Sequence, residues 1–560
     1  PGEDPRDPAD EDQRVVGRSG AGRARLRGGG MRVDGAGGGA GRGTTRRRFL
    51  AAGVGAAAAW ALAGNRRVSA QGIRTGGTLR VAIDGDPPTM DPHRSQAYVD
   101  RQIYQSLYDK LVDTDDRLRI VPKLATSWTI SAEGKLATFK LRQGVRFHDG
   151  TPFNAEAAEY NFRRMLFDPK YPSFRKSELR PVTKVNIVDA YTIQLVLSQP
   201  YSPLLYALTD RAGMMVSPTA AEQAGLDYGL HPVGTGPFLY AERVLQDHIT
   251  LRRNPHYWQQ DRPYLDAITY RVFLDDNARV TNLKSGDVDI VSLVPLPQVK
   301  TLGQQAGQPG STFRLIERSP IAWAALALNV TKPPFNNASL RQAMLAAVDQ
   351  RAIAGAVLQG AAYPAYSFFP NGTPAYDGSW TLPARNVATA KAKLQEGGSS
   401  GGLAFTIISP AAGQLLSVLQ AVQSMAADAG IQMKIDVIEG TEYVTQVVKL
   451  QPQATIVTWS GRPDPDFDIY PFVTQSGIGS LNYSGYANPK VQDLLDGARA
   501  EYDIAKRRAV YTQVTKILAQ DAPYVPLYFP REYKLVSPRL QGFVDQPDGM
   551  MRFHEAWLSA

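Results

Sequence analysis

Hydrophobic patterns in the second half of the chain predict a βαβαβ unit. Apolar residues recur at helical spacing over 413–429 and alternate with polar residues over 431–438, as in a half-buried strand. The predicted elements are a strand at 403–408, a helix at 413–429, a strand at 431–438, a helix at 442–450 and a strand at 454–457. Short crossovers of this kind imply parallel strands whose carboxyl ends share one crevice.

The first half predicts a mixture of strands and helices. An alternating strand covers 76–83, and two short strands around a turn at 189–190 cover 185–197. Asn154 is suited to cap a helix, because Ala158, Phe162 and Met165 then fall on one face.

Three further elements are predicted around the βαβαβ unit. The apolar run 323–329 suits a strand, and Asn337 and Asp349 are suited to cap the helices that follow it. The apolar run 523–529 also suits a strand.

The loop after the strand at 454–457 carries the most distinctive chemistry. It contains Trp459, Arg462, Asp464 and Asp466 in a stretch broken by Gly and Pro. A loop at the carboxyl end of a strand in an open α/β sheet is a usual place for a ligand. An aromatic face, a guanidinium and two carboxylates there could hold a charged solute; the alternative is a surface turn with paired charges.

Composition describes an ordinary globular protein. A length of 560 residues predicts two to four domains. The chain is 43% hydrophobic and 21% charged, as is usual for a globular protein. Residues 1–70 hold 13 Arg and 7 acidic residues, which leaves 49 basic and 46 acidic residues from Gln71 onward. This balance gives no electrostatic footprint for nucleic acid.

Several kinds of chemistry lack their usual signals. The chain has no Cys, which excludes disulfides and thiolate nucleophiles. It has no HExxH and no G-x-S-x-G motif, so a hydrolase is a distant alternative that would have to rest on His148. Its six His form no pair at i, i+3 or i+4, so we expect no metal site and no cofactor.

The amino-terminal region predicts export. Residues 1–44 have a composition typical of a disordered leader, with Met31 as an alternative start. Residues 45–70 predict a twin-arginine signal peptide: Thr-Arg-Arg-Arg-Phe-Leu precedes a short apolar run, with cleavage near Ala70. The run is shorter than a membrane span usually is, so an amino-terminal anchor is the lesser alternative. We expect a periplasmic protein that uses the twin-arginine export machinery.

Six blocks in order resemble family 5 extracytoplasmic solute-binding proteins, the peptide- and nickel-type receptors of ABC importers. The blocks are GGTLRVAI, RFHDGTPFNAEAAEYNFRRM, GTGPFLYAERV, LRRNPHYW, RPYLDAITYRVF and LKSGDVDIV. The resemblance implies an α/β, two-lobed periplasmic binding protein fold (type II, cluster C-like), with an extra subdomain inserted in the first lobe. The expected segments are 71–116 (lobe I, first segment), 117–228 (inserted subdomain), 229–318 (lobe I, second segment), 319–524 (lobe II) and 525–560 (lobe I, carboxyl-terminal return). With this arrangement the strand at 323–329 crosses between lobes, and the strand at 523–529 returns to the first lobe.

The resemblance also implies a function. A peptide or peptide-like ligand is captured between two closing lobes by a monomeric receptor, which delivers it to an ABC permease at the inner membrane. A ligand sensor and a receptor for a non-peptide organic anion are the alternatives. Nickel is a further possible ligand by analogy with the family.

Site residues follow from the same resemblance. In peptide-binding relatives a Trp in this loop lines the cavity, as Trp459 would here, and an acidic residue three positions later holds the peptide's ammonium. This chain has Arg462 at that position, and a guanidinium pairs with carboxylates instead. Asp464 or Asp466 could supply the acidic contact from a shifted loop, or Arg462 could pair with Asp464. Trp323 and Tyr98 are further lining candidates.

Overall fold

Three sheets of four or more strands organise residues 72–318, 321–410 and 413–559, the part of the chain that the computed structural model describes. The predicted leader, signal peptide and cleavage site lie outside these residues. Two short two-stranded sheets complete the β-structure of the described ranges: Val112–Thr114 with Ile120–Pro122, and Leu540–Gln541 with Trp557–Leu558.

The first large sheet has seven strands. Its centre is the predicted amino-terminal strand Thr78–Ile83, which pairs in parallel with Ala267–Val272. In spatial order the strands are Arg314–Arg318, Glu532–Val536, Ile290–Val291, Thr78–Ile83, Ala267–Val272, His248–Arg253 and Phe238–Val244.

The second large sheet has six strands and contains the predicted βαβαβ unit. Leu403–Pro410 pairs in parallel with Ile431–Ile438 on one side and with Ala454–Trp459 on the other. The three carboxyl ends therefore point to one edge, as the sequence predicts. In spatial order the strands are Ala362–Pro364, Tyr524–Pro530, Trp323–Leu328, Ala454–Trp459, Leu403–Pro410 and Ile431–Ile438.

A four-stranded antiparallel sheet has its own core. Its strands in spatial order are Ala125–Ile130, Leu136–Leu141, Thr192–Leu197 and Val182–Asp189. Phe162 and Met165, on the helix Ala155–Leu166, are fully buried in the same cluster as Phe139 of this sheet. The side chain of Asn154 accepts a hydrogen bond from the Ala157 amide, which confirms the predicted cap.

Helices connect and cover the sheets. The described α-helices are Tyr98–Leu107, Ala155–Leu166, Leu204–Ala207, Pro218–Ala224, Asp276–Ser285, Val299–Ala306, Ala338–Ala347, Gln350–Ala352, Val387–Glu396, Gly413–Ala427, Gly440–Val448, Asp466–Val473, Pro489–Ala500 and Ile504–Asp521. Asn337 and Asp349 cap their helices as predicted.

The return to the first sheet differs from the prediction. The strand Tyr524–Pro530 pairs antiparallel with Trp323–Leu328 and so belongs to the second sheet; the interpretation of 523–529 as a strand of the first lobe is wrong. The next strand, Glu532–Val536, is the one that joins the first sheet. An apolar run looks the same in either sheet, so the sequence does not show on which side of Arg531 the crossing falls.

The chain passes between the large sheets at two places, and the strands that flank these places are neighbours. Arg318 is the register partner of Glu532 in the first sheet, and Ala324 is the register partner of Tyr528 in the second. Two short connections between the same pair of sheets are a usual basis for hinge closure, because both sheets can stay intact while the connections change.

Candidate functional site

A cavity of about 910 Å³ is lined from both large sheets and from two short turns, one before and one after the hairpin formed by Val182–Asp189 and Thr192–Leu197. The second sheet and its loops contribute Trp459, Arg462 and Tyr483, and the first sheet contributes Glu532 and Tyr533. Ligand pockets typically measure about 300–1,000 Å³, so this cavity is large enough for a flexible solute.

The loop at the end of Ala454–Trp459 needs a glycine to reach the cavity. Gly461 has φ +73°, and a Cβ built there would lie 2.0 Å from the carbonyl oxygen of Ile321. Only a residue without a side chain fits so close to another backbone segment at positive φ. This contact holds the loop that carries Trp459 and Arg462 against Ile321, just before the strand Trp323–Leu328.

Trp459 is held rigidly at the cavity wall. Its Nε1 donates to an Asp468 carboxylate oxygen at 2.9 Å, and its ring meets Phe472 edge to face with centroids 5.1 Å apart. Asp468 also accepts from the backbone amide of Arg462 at 2.9 Å. Burial nevertheless raises the pKa of Asp468 well above its usual range. The carboxyl group of Asp468 therefore holds the Trp459 side chain and the Arg462 backbone in place.

Arg462 pairs with a different partner from the one the sequence suggests. Its Nε lies 3.3 Å from an Asp210 oxygen, and its guanidinium lies 4.6 Å from the centre of the Trp459 ring. The alternative of an Arg462–Asp464 pair is wrong, because Asp464 is neutralised elsewhere. Burial, with repulsion from Arg101, lowers the pKa of Arg462 to about 9.

Asp464 and Asp466 do not line the cavity. Asp464 accepts two hydrogen bonds from Arg507, one of them at 2.8 Å, and Asp466 accepts two from Arg499 at 2.7 and 2.8 Å. Both carboxylates are almost fully buried. Their guanidinium partners come from two later helices, a pairing that local sequence does not reveal. These acids brace the loop, which corrects their assignment as ligand contacts.

Tyr98 and Trp323 occupy different positions. Tyr98 begins the helix Tyr98–Leu107 and lines the cavity. Burial, followed by the nearby Glu532 charge, raises the pKa of the Tyr98 hydroxyl well above its usual value. Trp323 is only 8% exposed; it pairs in register with Trp459 and packs on Phe472, where it lines a small apolar cavity behind the wall.

Sequence reasoning missed a set of arginines on the same wall. Arg101, Arg175 and Arg211 line the cavity near Arg462, and each of these three is 2% exposed. Arg101 contacts Asp210 at 3.0 Å, across 109 positions of the chain. The weak signal for Arg101 was a basic residue in the segment YVDRQIYQSL, between apolar and aromatic residues. The sequence does not show that its partner is Asp210.

The described residues contain neither a candidate metal cluster nor a candidate membrane-spanning helix. In 72–318, 321–410 and 413–559, no three His, Asp or Glu side chains converge in a way that could hold a metal ion. None of the helices in those ranges combines the length and the apolar character that crossing a membrane requires.

Two lobes joined by neighbouring crossings, with a cavity lined from both, define a receptor that encloses a solute. The chain belongs to the bacterial extracellular solute-binding proteins, family 5, whose middle-region model matches residues 119–480. Members of this family are binding proteins.

Individual relatives resemble the chain over most of its length. The glutathione-binding protein GsiB of Escherichia coli K12 is 29% identical over 487 residues, which cover 85% of this chain and 94% of GsiB. The structure of Helicobacter pylori DppA in complex with the peptide STSA matches with a TM-score of 0.79 and 26% identity, covering 87% of this chain and 99% of DppA. AgaA of A. tumefaciens R10, in complex with agropinic acid, matches with a TM-score of 0.78 and 25% identity, covering 86% of this chain and 99% of AgaA.

Proposed function

We propose that this protein is the receptor of an ABC importer, which captures a peptide or peptide-like solute between its lobes and delivers it to an inner-membrane permease. The observation that carries the proposal is the cavity of about 910 Å³, lined by aromatic and charged side chains from both lobes. The relatives support it, because GsiB is named for glutathione and DppA holds a peptide.

The lobes that we propose follow the expected segments with one change. Lobe I comprises 71–116 and 229–318, with 117–228 inserted, and lobe II extends to Pro530. The carboxyl-terminal return then begins at Arg531, in agreement with the strand pairing.

The ligand contacts that we propose are Trp459, Arg462 and Tyr98. Trp459 offers a fixed aromatic wall, since its indole nitrogen is already bonded to Asp468. Trp323 supports that wall from behind through Phe472. Asp464 and Asp466 are not among these contacts, because each is paired with a buried arginine.

Ligand identification tests this function. Native mass spectrometry of protein purified from its own cells should detect a bound small solute that is released on unfolding. In a thermal-shift screen, di- and tripeptides should raise the melting temperature of the wild type, because a ligand that binds only the folded state stabilises it.

A matched pair of variants gives the screen its control. Trp459→Ala should lose most of the shift, while Trp128→Ala, on the four-stranded sheet away from the cavity, should keep it. If no small solute co-purifies and no peptide shifts the wild type, the proposal fails.

A non-peptide organic anion is the second candidate ligand. Arg462 favours it, since it stands where peptide-binding relatives carry an acid, and so does AgaA, which holds agropinic acid. If agropinic acid raises the melting temperature and the peptides of the screen do not, the result favours this candidate. The sensor alternative is separated from import by a transport assay: loss of solute uptake on deletion indicates import.

We also propose periplasmic delivery through the twin-arginine pathway. The support is the sequence of residues 45–70, with Arg46 and Arg47 followed by Phe49 and Leu50. Changing Arg46 and Arg47 together to Lys should retain the precursor in the cytoplasm, measured by fractionation and immunoblotting. The same change at Arg66 and Arg67 is the control and should leave export intact. Normal export of the first variant would contradict this route.

A further inference from the structure

Four guanidinium groups form one wall of the cavity. We call this group, Arg101, Arg175, Arg211 and Arg462, the arginine wall. Arg462 comes from the second lobe and Arg101 from the helix Tyr98–Leu107. Arg175 and Arg211 come from the short turns Phe174–Ser177 and Arg211–Gly213. All four line the cavity and all are at least nine-tenths buried.

Three carboxylates lie among these arginines. Asp210 contacts Arg101 at 3.0 Å and Arg462 at 3.3 Å, and so lies between the two lobes. Asp100 lies 3.9 Å from Arg211, and Glu178 pairs with Arg175. Four guanidinium groups therefore contact three carboxylates, and one of those carboxylates, Asp210, is shared between lobes. Glu532 of the first sheet lines the same cavity, and Asp548 also attracts Arg101.

Asp100 is one of these three acids. Burial raises the pKa of Asp100 to about 6, against attraction by Arg211, so this carboxyl group is ionised at neutral pH and becomes neutral only in mildly acidic solution. Asp100 is fully buried, and its Oδ1 has no hydrogen-bond partner among the described residues. The four guanidinium groups thus outnumber the three carboxylates that contact them.

Arg211 has unused donor capacity. One of its terminal nitrogens donates to the backbone oxygens of Ser95 and Ala97 at 3.0 and 3.3 Å. Its Nε is buried and has no partner in the described part of the chain. A buried unpaired donor is costly, so the protein alone does not satisfy the guanidinium of Arg211 in full.

We propose that the arginine wall binds a carboxylate of the ligand, with Arg462 of the second lobe and Arg101 and Arg211 of the first lobe gathered around it. The inference rests on the proposed receptor function and adds the ligand's chemical class: a solute with a free carboxylate at this end. Guanidinium pairs with carboxylate through two parallel hydrogen bonds, which fits the shape of this group. Because the donors come from both lobes, the carboxylate also favours closure.

Two peptide libraries separate this inference from the receptor function. The probes are equimolar pools of tripeptides, one with free carboxyl termini and one amidated at the same termini, measured by thermal shift and then by calorimetry on the peptides that bind. We expect the free acids to bind and their amides to bind at least about tenfold more weakly, because a charge-assisted pair is lost.

Arg462→Gln is the decisive variant, since Asp210 still has its contact with Arg101. It should weaken the free acids at least about tenfold and leave the amides nearly unchanged. Arg462→Lys should recover part of the affinity. Arg253→Gln removes the same charge from a surface pair with Asp266 and should behave as wild type. Melting curves without ligand check that each variant is folded.

The outcomes distinguish the two claims. Equal affinity for acids and amides, or acid binding unchanged by Arg462→Gln, overturns the carboxylate site while the receptor function stands. Binding of neither pool by the wild type overturns the peptide-receptor function and this inference together. Selective binding of the acids, lost in Arg462→Gln, supports both.

Discussion

At the scale of single residues, charges decide which groups reach a ligand. The loop after Ala454–Trp459 carries one cation and two acids within five positions, and any of the three could face the cavity by sequence alone. Asp466 and Asp464 form buried ion pairs with Arg499 and Arg507, so neither acid is available to a ligand. The cation remains at the wall because Asp210 is already shared with Arg101.

Breaking one of these internal pairs should destabilise the protein. Asp466→Ala leaves the guanidinium of Arg499 buried without its counterion, and we expect a loss of about 3–5 kcal/mol in the free energy of unfolding. Urea denaturation measures it.

The control for this prediction is Asp428→Ala, at an exposed pair with Arg385, which should change stability by less than about 1 kcal/mol. Equal effects of the two substitutions would show that Asp466 does not brace the loop.

At the scale of elements, periodicity predicted the part of the second sheet that holds the site. The strands and helices from 403 to 459 lie where the pattern placed them, with ends shifted by a few residues. The short crossovers predicted the parallel order of the strands. The position of Trp459 at a crevice at their carboxyl ends therefore follows from the sequence alone.

The same reasoning failed for the strand Tyr524–Pro530. Fully buried strands show a continuous apolar run with no alternation, and such a run fits the centre of either large sheet. Pairing with Trp323–Leu328 is a contact between residues about 200 positions apart. Only the folded sheet selects that partner.

At the scale of the whole molecule, buried neutral histidines link stability to pH. His93 is fully buried: one ring nitrogen lies 3.0 Å from the Met214 carbonyl oxygen, and the other lies 3.1 Å from an Arg164 nitrogen, which can only donate. The ring is therefore neutral. Burial, followed by repulsion from Arg164, lowers the pKa of His93 from 6.5 to about 3.

The sign of the effect follows from the lowered pKa. Between pH 6.5 and 3 the unfolded chain binds a proton at this position and the folded protein does not, so acidification favours unfolding. The stabilising contribution of a neutral His93 is complete above pH 6.5 and is lost as the pH falls towards 3.

Urea denaturation at several pH values tests this link. From pH 6 to pH 4, the stability of His93→Gln should fall less steeply than that of the wild type, by up to about 1.4 kcal/mol per pH unit. His256→Gln, at an exposed position, should follow the wild-type profile. A His93→Gln profile parallel to the wild type would contradict a neutral His93.

Sequence alone determined the elements from 403 to 459, the parallel order of the strands at the site and the aromatic residue at the end of one of them. These depend on local periodicity and on short connections, which are written into neighbouring residues. The tertiary structure alone decided which charged side chains form internal ion pairs and which line the cavity. Arg101, Asp210 and Arg462 meet from three distant parts of the chain, and a charge becomes available to a ligand only when folding has paired its neighbours with other partners.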